Sequence, residues 1–151
     1  MRIYFAGPLF SHAEKTFNIE LARKLEDIGH SIFLPQRDGA EKKFPNYYEL
    51  VKEERREAIF KKDYDEIIAA DIFLFILDGR VPDEGACVEL GIAYNEKRER
   101  DMKKIIIGLH TDNRAAFLGS KLNPMVKVPL ERIFESEDEL IIYLKEIGRN
   151  T

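Results

Sequence analysis

A chain of 151 residues with 44% apolar content has the length and apolar complement of one ordinary domain, here expected to span residues 1–151 around one core. Its 24 basic and 28 acidic residues leave a formal net charge of −4. With no Lys/Arg-rich stripe and no interleaving of aromatic and basic residues, this argues against nucleic acid or an anionic membrane as the main partner. The one cysteine, Cys87, has no partner for an internal disulfide, and the longest apolar run falls far short of the ~20 residues a bilayer-spanning helix needs.

Taken in chain order, Arg2 to Ala6 is a β-branched and aromatic run that ends at the turn signal Gly7-Pro8. No charged n-region or apolar h-region precedes that strand, so the expected location is the cytoplasm. Ser11-His12-Ala13-Glu14 has the form of a capping box, and the helix it opens carries Phe17, Leu21, Leu25 and Ile28 at helical spacing before stopping at Gly29. Ser31 to Leu34 supplies a second short strand, completing a βαβ unit. Residues 35–45 are polar, with a glycine and two prolines, and read as a loop near the strand ends that could cover a pocket. Asn46 to Glu49 is expected to begin a long helix reaching about Ala70. Ile72 to Leu77 then reads Ile-Phe-Leu-Phe-Ile-Leu without alternation, as a central parallel strand covered on both faces does. A helix to about Lys97, a fourth strand at Lys104 to Leu109, an irregular stretch and a brief fifth strand near Val126 to Val128 follow. A second capping pattern at Ser136 to Glu139 opens the last helix, with Leu140, Ile141, Leu144 and Ile147 as its stripe. Strands alternating with helices through right-handed crossovers give a three-layer α/β domain of the flavodoxin-like (Rossmann-like) kind, with a central parallel sheet of about five strands.

The run from Asp78 to Gly91 is the most informative stretch, because it joins the central strand to a helix, where a parallel α/β sheet puts its active site. Asp83 is placed as that helix's N-cap, and Glu89 lies roughly 9 Å further along the axis at about 1.5 Å per residue. Carboxylates here suit chemistry on a neutral or cationic centre. Gly85, Ala86 and Gly91 leave little bulk around Glu89, so a ligand can approach closely. Asp63 falls on the same side of its helix as Phe60, Tyr64, Ile67 and Ile68, and so points inward. Either it is a carboxyl with a raised pKa, fit for general acid work, or it is a salt-bridged or capping aspartate. Its neighbours Lys61, Lys62, Asp65 and Glu66 read as a solvated face. His12, His30 and His110 with one cysteine show no metal-ligand spacing, so no metal is expected. Neither a Gly-x-Gly-x-x-Gly nor a Walker A sequence is present, so no phosphate-held cofactor is indicated. Cys87 is better read as a small buried residue than as a nucleophile.

Together these residues resemble the nucleoside 2-deoxyribosyltransferases. The matching elements are Ile3-Tyr4-Phe5-Ala6-Gly7-Pro8-Leu9-Phe10, Asp63 ahead of Ala70-Asp71-Ile72, the Leu77-Asp78-Gly79 turn, Asp83 with Glu89-Leu90-Gly91-Ile92-Ala93-Tyr94, and Asn123-Pro124-Met125. The resemblance implies that Glu89 attacks C1′ of a 2′-deoxynucleoside, forming a deoxyribosyl ester and releasing the base, and that a second base then takes the sugar. It further implies that Asp63 protonates the leaving base, Asp83 holds the sugar hydroxyls, Tyr4 hydrogen-bonds the nucleophile and Phe10 lines the base site. Gly7 and Gly85 go with the substrate-binding residues. Asn123 and Met125 would come from a neighbouring subunit of a homo-oligomer. The substrates implied are a deoxynucleoside and a free nucleobase, with no cofactor. Two other readings stand beside it. One is a 2′-deoxynucleoside 5′-monophosphate N-glycosidase; such hydrolases usually carry a phosphate-binding serine where this chain has Asp83, and a carboxylate there would repel phosphate, with Arg80 or Arg114 as substitute phosphate ligands. The other is a non-catalytic nucleoside sensor, against which three converging acids argue.

Overall fold

The computed structural model describes residues 1–79, 81–99, 103–112 and 122–149. Among these, strands β1 (Arg2–Ala6), β2 (Ser31–Phe33), β3 (Ile72–Ile76), β4 (Ile105–Leu109) and β5 (Arg132–Phe134) form one parallel sheet in the order β2-β1-β3-β4-β5. The expected three-layer α/β architecture is therefore found. β3 is buried at every position, which is why its sequence shows no alternation.

Alternate residues of each strand serve opposite layers. On one face Ile3, Phe5, Ile32, Ile72, Leu74, Ile76, Ile107 and Leu109 pack against Leu21 and Leu25 of α1 (His12–Asp27) and Leu140 and Leu144 of the last helix (Glu137–Arg149). The other face presents Tyr4, Ala6, Phe33, Phe73, Phe75 and Ile106 to Ile67 of α4 (Lys52–Ala69) and Ala86, Leu90 and Ala93 of α5 (Glu84–Glu99). α1 opens on the expected capping box: the Glu14 amide donates to Ser11 Oγ at 3.2 Å, and the Ser11 amide donates to Glu14 Oε2 at 2.7 Å. At the head of the last helix, the Glu139 amide donates to Ser136 Oγ at 3.3 Å.

Several boundaries differ from the sequence reading. Residues 35–45 hold two one-turn helices, α2 (Pro35–Asp38) and α3 (Ala40–Lys43), in place of an open loop. Proline at the first helical position is pre-set for such a turn. Tyr47–Glu49 is a separate 3₁₀ turn, behind Asn46 at a left-handed φ of 58°, and the long helix starts only at Lys52. Val126 belongs to a short helix, α6 (Pro124–Lys127), again led by proline, and the fifth strand is Arg132–Phe134. The last helix, Glu137–Arg149, is α7. Phe60 and Tyr64 do not enter the core: they stack on each other at the surface with ring centroids 6.1 Å apart. Glu66, expected in solvent, is buried.

Candidate active site

The strand order reverses between β1 and β3: the chain leaves β1 toward β2 on one side and returns to β3 on the other. Ligands in open α/β sheets bind in the crevice beyond the strand ends at such a point. Gly7 ends β1 there at φ 153°, and a Cβ on it would lie 2.8 Å from Ile76 Cβ, so only glycine lets the two strand exits approach this closely.

Tyr4 projects from β1 toward α4 and α5, fully buried. Its register partners on the neighbouring strands are Phe33 and Phe73, and both stack on its ring, at 5.5 Å and 20° and at 5.7 Å and 7°. A phenol clamped between two aromatic rings has one fixed direction, and its hydroxyl donates to Glu89 Oε1 at 2.8 Å. Burial, with Glu89 and Asp63 adding, pushes its ionisation far above the ordinary tyrosine value, so Tyr4 stays a neutral phenol with a proton to donate.

Glu89 sits in the second turn of α5 and Asp63 on α4, and the two line one cleft of about 370 Å³ together with Arg56, Ile59, Phe60, Tyr64, Gly85, Val88 and Ile92. Burial pushes Glu89 up to about 7, against the lowering effect of the Tyr4 hydrogen bond, with the Asp63 and Asp83 carboxylates adding to the rise. Asp63 is pushed up to about 6 by burial and by the nearby Glu66, with Lys62 opposing. Two carboxyl groups with raised pKa values in one cleft are the arrangement acid–base and nucleophilic chemistry requires. Asp63 also borders a second cleft, of about 270 Å³, formed by Leu9, Phe10, Pro35, Gln36, Gly39, Ala40, Glu41, Lys42 and Ile59. With Ile59 it forms the shared wall of the two.

Asp83 caps α5: its Oδ1 accepts from the Ala86 amide at 2.9 Å, and a Cβ on Gly85 would lie only 3.2 Å from that oxygen. Phe10, 74% exposed, stands at the mouth of the second cleft. Asn123 and Met125 are not brought to either cleft within one chain. Asn123 caps α6 by accepting from the Met125 amide at 2.9 Å, and Met125 is 81% exposed. Arg80 and Arg114 lie outside the described residues. Burial and the Asp83 and Glu84 carboxylates push the Cys87 thiol upward, away from thiolate chemistry. Among the described residues, no His/Cys/Asp/Glu cluster could hold a metal ion.

Sequence reasoning missed the Phe33 and Phe73 clamp, which needs the strand register, and gave Asp78, named as part of the Leu77-Asp78-Gly79 turn, no role of its own: it ties the β3 exit to the β4 exit. Asp78 accepts from the Thr111 amide and hydroxyl, both at 2.6 Å, and from the Asp112 amide at 3.0 Å. An aspartate at the end of an apolar strand was the available signal.

A family model described as nucleoside 2-deoxyribosyltransferase matches residues 3–139. The chain belongs to this family. The matched span covers the positions of Tyr4, Asp63, Asp83 and Glu89, and the family supports an enzyme acting on nucleosides. Among solved structures, a 2-deoxyribosyltransferase from the psychrotolerant bacterium Bacillus psychrosaccharolyticus is similar at 26% identity and a TM-score of 0.74, over 93% of this chain and 90% of that one. A conserved protein from Enterococcus faecalis V583 is similar at 25% identity and a TM-score of 0.75, over 97% of this chain and 98% of that one. The CMP N-glycosidase of Clostridium botulinum, at 20% identity and a TM-score of 0.54 over 95% and 98% of the two chains, shares the fold. No curated protein matches the chain in sequence. No helix among the described residues is long and apolar enough to cross a membrane.

Proposed function

We propose that this protein transfers the 2-deoxyribosyl group of a 2′-deoxynucleoside to another purine or pyrimidine base through a covalent ester on Glu89. The observation that carries this reading is the Tyr4–Glu89 hydrogen bond at 2.8 Å in a cleft that Glu89 shares with Asp63. The Asp63 charge raises the Glu89 pKa, so the two carboxyl groups titrate as a coupled pair that holds about one proton between about pH 6 and 7. With Glu89 at about 7 and Asp63 at about 6, the shared proton rests more often on Glu89. The reactive form, Glu89 ionised under the Tyr4 hydrogen bond and Asp63 protonated, is the minor tautomer of the pair. Displacement with retention of configuration needs this division: one ionised nucleophile and one protonated acid.

In the first step Glu89 Oε2 forms a bond to C1′ as the C1′–N bond breaks, and the departing nitrogen takes the proton of Asp63. In the second, the incoming base attacks C1′, the ester C–O bond breaks, and Asp63 recovers a proton from that base. Asp83 holds the sugar hydroxyls while it caps α5. The cleft with Phe10 takes the base, so that Asp63 stands between base and sugar. Asn123 and Met125 reach the site from a neighbouring subunit, in a cytoplasmic homo-oligomer of single-domain chains that uses no cofactor.

The test is chromatography of products after incubation with 2′-deoxyinosine, with and without adenine, beside a sample given a deoxynucleoside 5′-monophosphate. Deoxyadenosine formed only with adenine is the expected result. Free base released from the monophosphate alone would replace the reading with N-glycosidase action, and no product from either would replace it with nucleoside sensing.

A further inference from the structure

Glu66 is a buried carboxylate that the proposed chemistry does not use. It lies one turn after Asp63 on α4, and its two oxygens are split between two cations: Oε2 pairs with the Arg2 guanidinium of β1, and Oε1 with Lys62 Nζ at 2.8 Å. Each of these partners leads to the site. Arg2 begins the strand that carries Tyr4, and its own amide is held by Asp71 Oδ2 at 2.7 Å, in the turn between α4 and β3. Lys62 Nζ stands 5.4 Å over the Phe33 ring, which stacks on Tyr4. An ion triad so placed fixes α4 against β1, whereas burial of charge alone gives a fold little net stability.

We propose that Glu66 is a positioning residue for the reaction: through Arg2 and Lys62 it sets the registry in which Asp63 of α4 and Tyr4 of β1 meet Glu89. The inference rests on the reading of Asp63 as the acid that serves the base. Its electrostatic consequence follows from the same geometry. The titratable and charged groups that face Asp63 are Glu66 and Lys62 on its own helix, Tyr4 of β1, Glu89 across the cleft on α5, Arg56 on the cleft wall, and Glu41 and Lys42 of α3 in the second cleft. Of these, Glu66 raises the Asp63 pKa and Lys62 lowers it. The triad therefore sets how high in pH Asp63 stays protonated, and the two members act with opposite sign.

Three variants test this, read by the pH dependence of kcat/KM for base exchange and, separately, by NMR titration of the Asp63 side-chain carboxyl. Glu66→Gln should move the Asp63 titration, and with it the limb of the profile that Asp63 governs, to lower pH. Lys62→Met should move both to higher pH, and Glu66→Asp should restore the wild-type position. A merely structural role would lower stability in all three variants without opposite shifts. Folded Glu66→Gln and Lys62→Met proteins that both titrate as wild type would overturn the proposal. Should Glu66→Gln not fold, the Lys62→Met titration decides alone, an upward shift supporting the proposal and no shift overturning it. The NMR readout also separates two failures: if wild type exchanges no base while the carboxyl titration still shifts as stated, it is the transferase reading that falls.

Discussion

The two faces of the sheet are built by the same strands and are chemically opposite. Ile3 and Phe5 of β1 point into a layer closed by α1 and α7 whose buried cluster is aliphatic and aromatic throughout. Tyr4, between them, points into the layer under α4 and α5, where Asp63, Glu66 and Glu89 gather. One face is a scaffold whose core side chains are apolar and gain from burial, with Asn18 of α1 and His30, hydrogen-bonded to the Leu144 carbonyl, buried beside them. On the other, burial works against the ionised forms of Asp63 and Glu89 and pushes them up to about 6 and about 7. A strand one residue out of register would exchange the two sets, so the well-packed face also fixes where Tyr4 points.

Substitutions on the two faces should therefore separate activity from stability. Glu89→Ala should reduce exchange and hydrolysis at least about 10⁴-fold with the fold retained, measured by product chromatography and circular dichroism. Unchanged turnover would remove Glu89 from its proposed role. Asp63→Asn should slow base release by roughly 10²–10⁴-fold, most for the poorest leaving bases; equal slowing across bases would mark Asp63 as structural. On the scaffold face, Leu25→Ala should cost about 2–5 kcal/mol in denaturant unfolding and leave turnover per folded molecule unchanged. Tyr4→Phe keeps the aromatic stack and removes a hydrogen bond to a charged group, so a roughly 10–100-fold loss in kcat/KM is expected. Because that bond lowers the Glu89 pKa, the ionisation of Glu89 should move to higher pH.

The smallest effect concerns pH and stability. The folded-state values of Asp63 and Glu89, about 6 and about 7, lie above their ordinary 3.8 and 4.5. The native state thus holds more protons than the unfolded chain between these limits. Their contribution to stability is present in full below about pH 4 and is lost as pH rises through 6 to 7. Asp63→Asn should consequently stabilise the protein at pH 8, by about 1–2 kcal/mol after allowance for partial solvent screening, and not at pH 4, as thermal melts at the two values would show.

Much of this contrast is legible in the sequence. The all-apolar run of β3, the capping serines Ser11 and Ser136, and the acids Asp83 and Glu89 just beyond a central strand carry local signals strong enough to place them. The misread parts lack such signals. Arg132–Phe134 is a three-residue strand that starts exposed, too short for any period to show. Val126 and Val128 look extended by composition, yet Pro124 and the Asn123 cap begin a helical turn there. Glu66 sits among surface charges on α4, and its partner Arg2 lies 64 positions away in sequence. Lys104 is similar. Its ammonium reaches the carbonyl of Ile67 at 2.7 Å and that of Ala70, closing the end of α4, a long-range contact that no spacing rule announces.

The two outermost strands, β2 and β5, are each three residues long, and each is guarded by an arginine. Arg37 donates to the Ile32 carbonyl at 2.9 Å, and Arg132 lies over the Phe134 ring at 4.6 Å. Short, charged rims give a passing chain few free amides on which to extend the sheet. Clumping on storage or heating should therefore wait for the interior strands to come loose, so the temperature at which the solution turns turbid should follow the melting temperature. A substitution such as Leu25→Ala should then bring on turbidity sooner than the loss of either rim arginine.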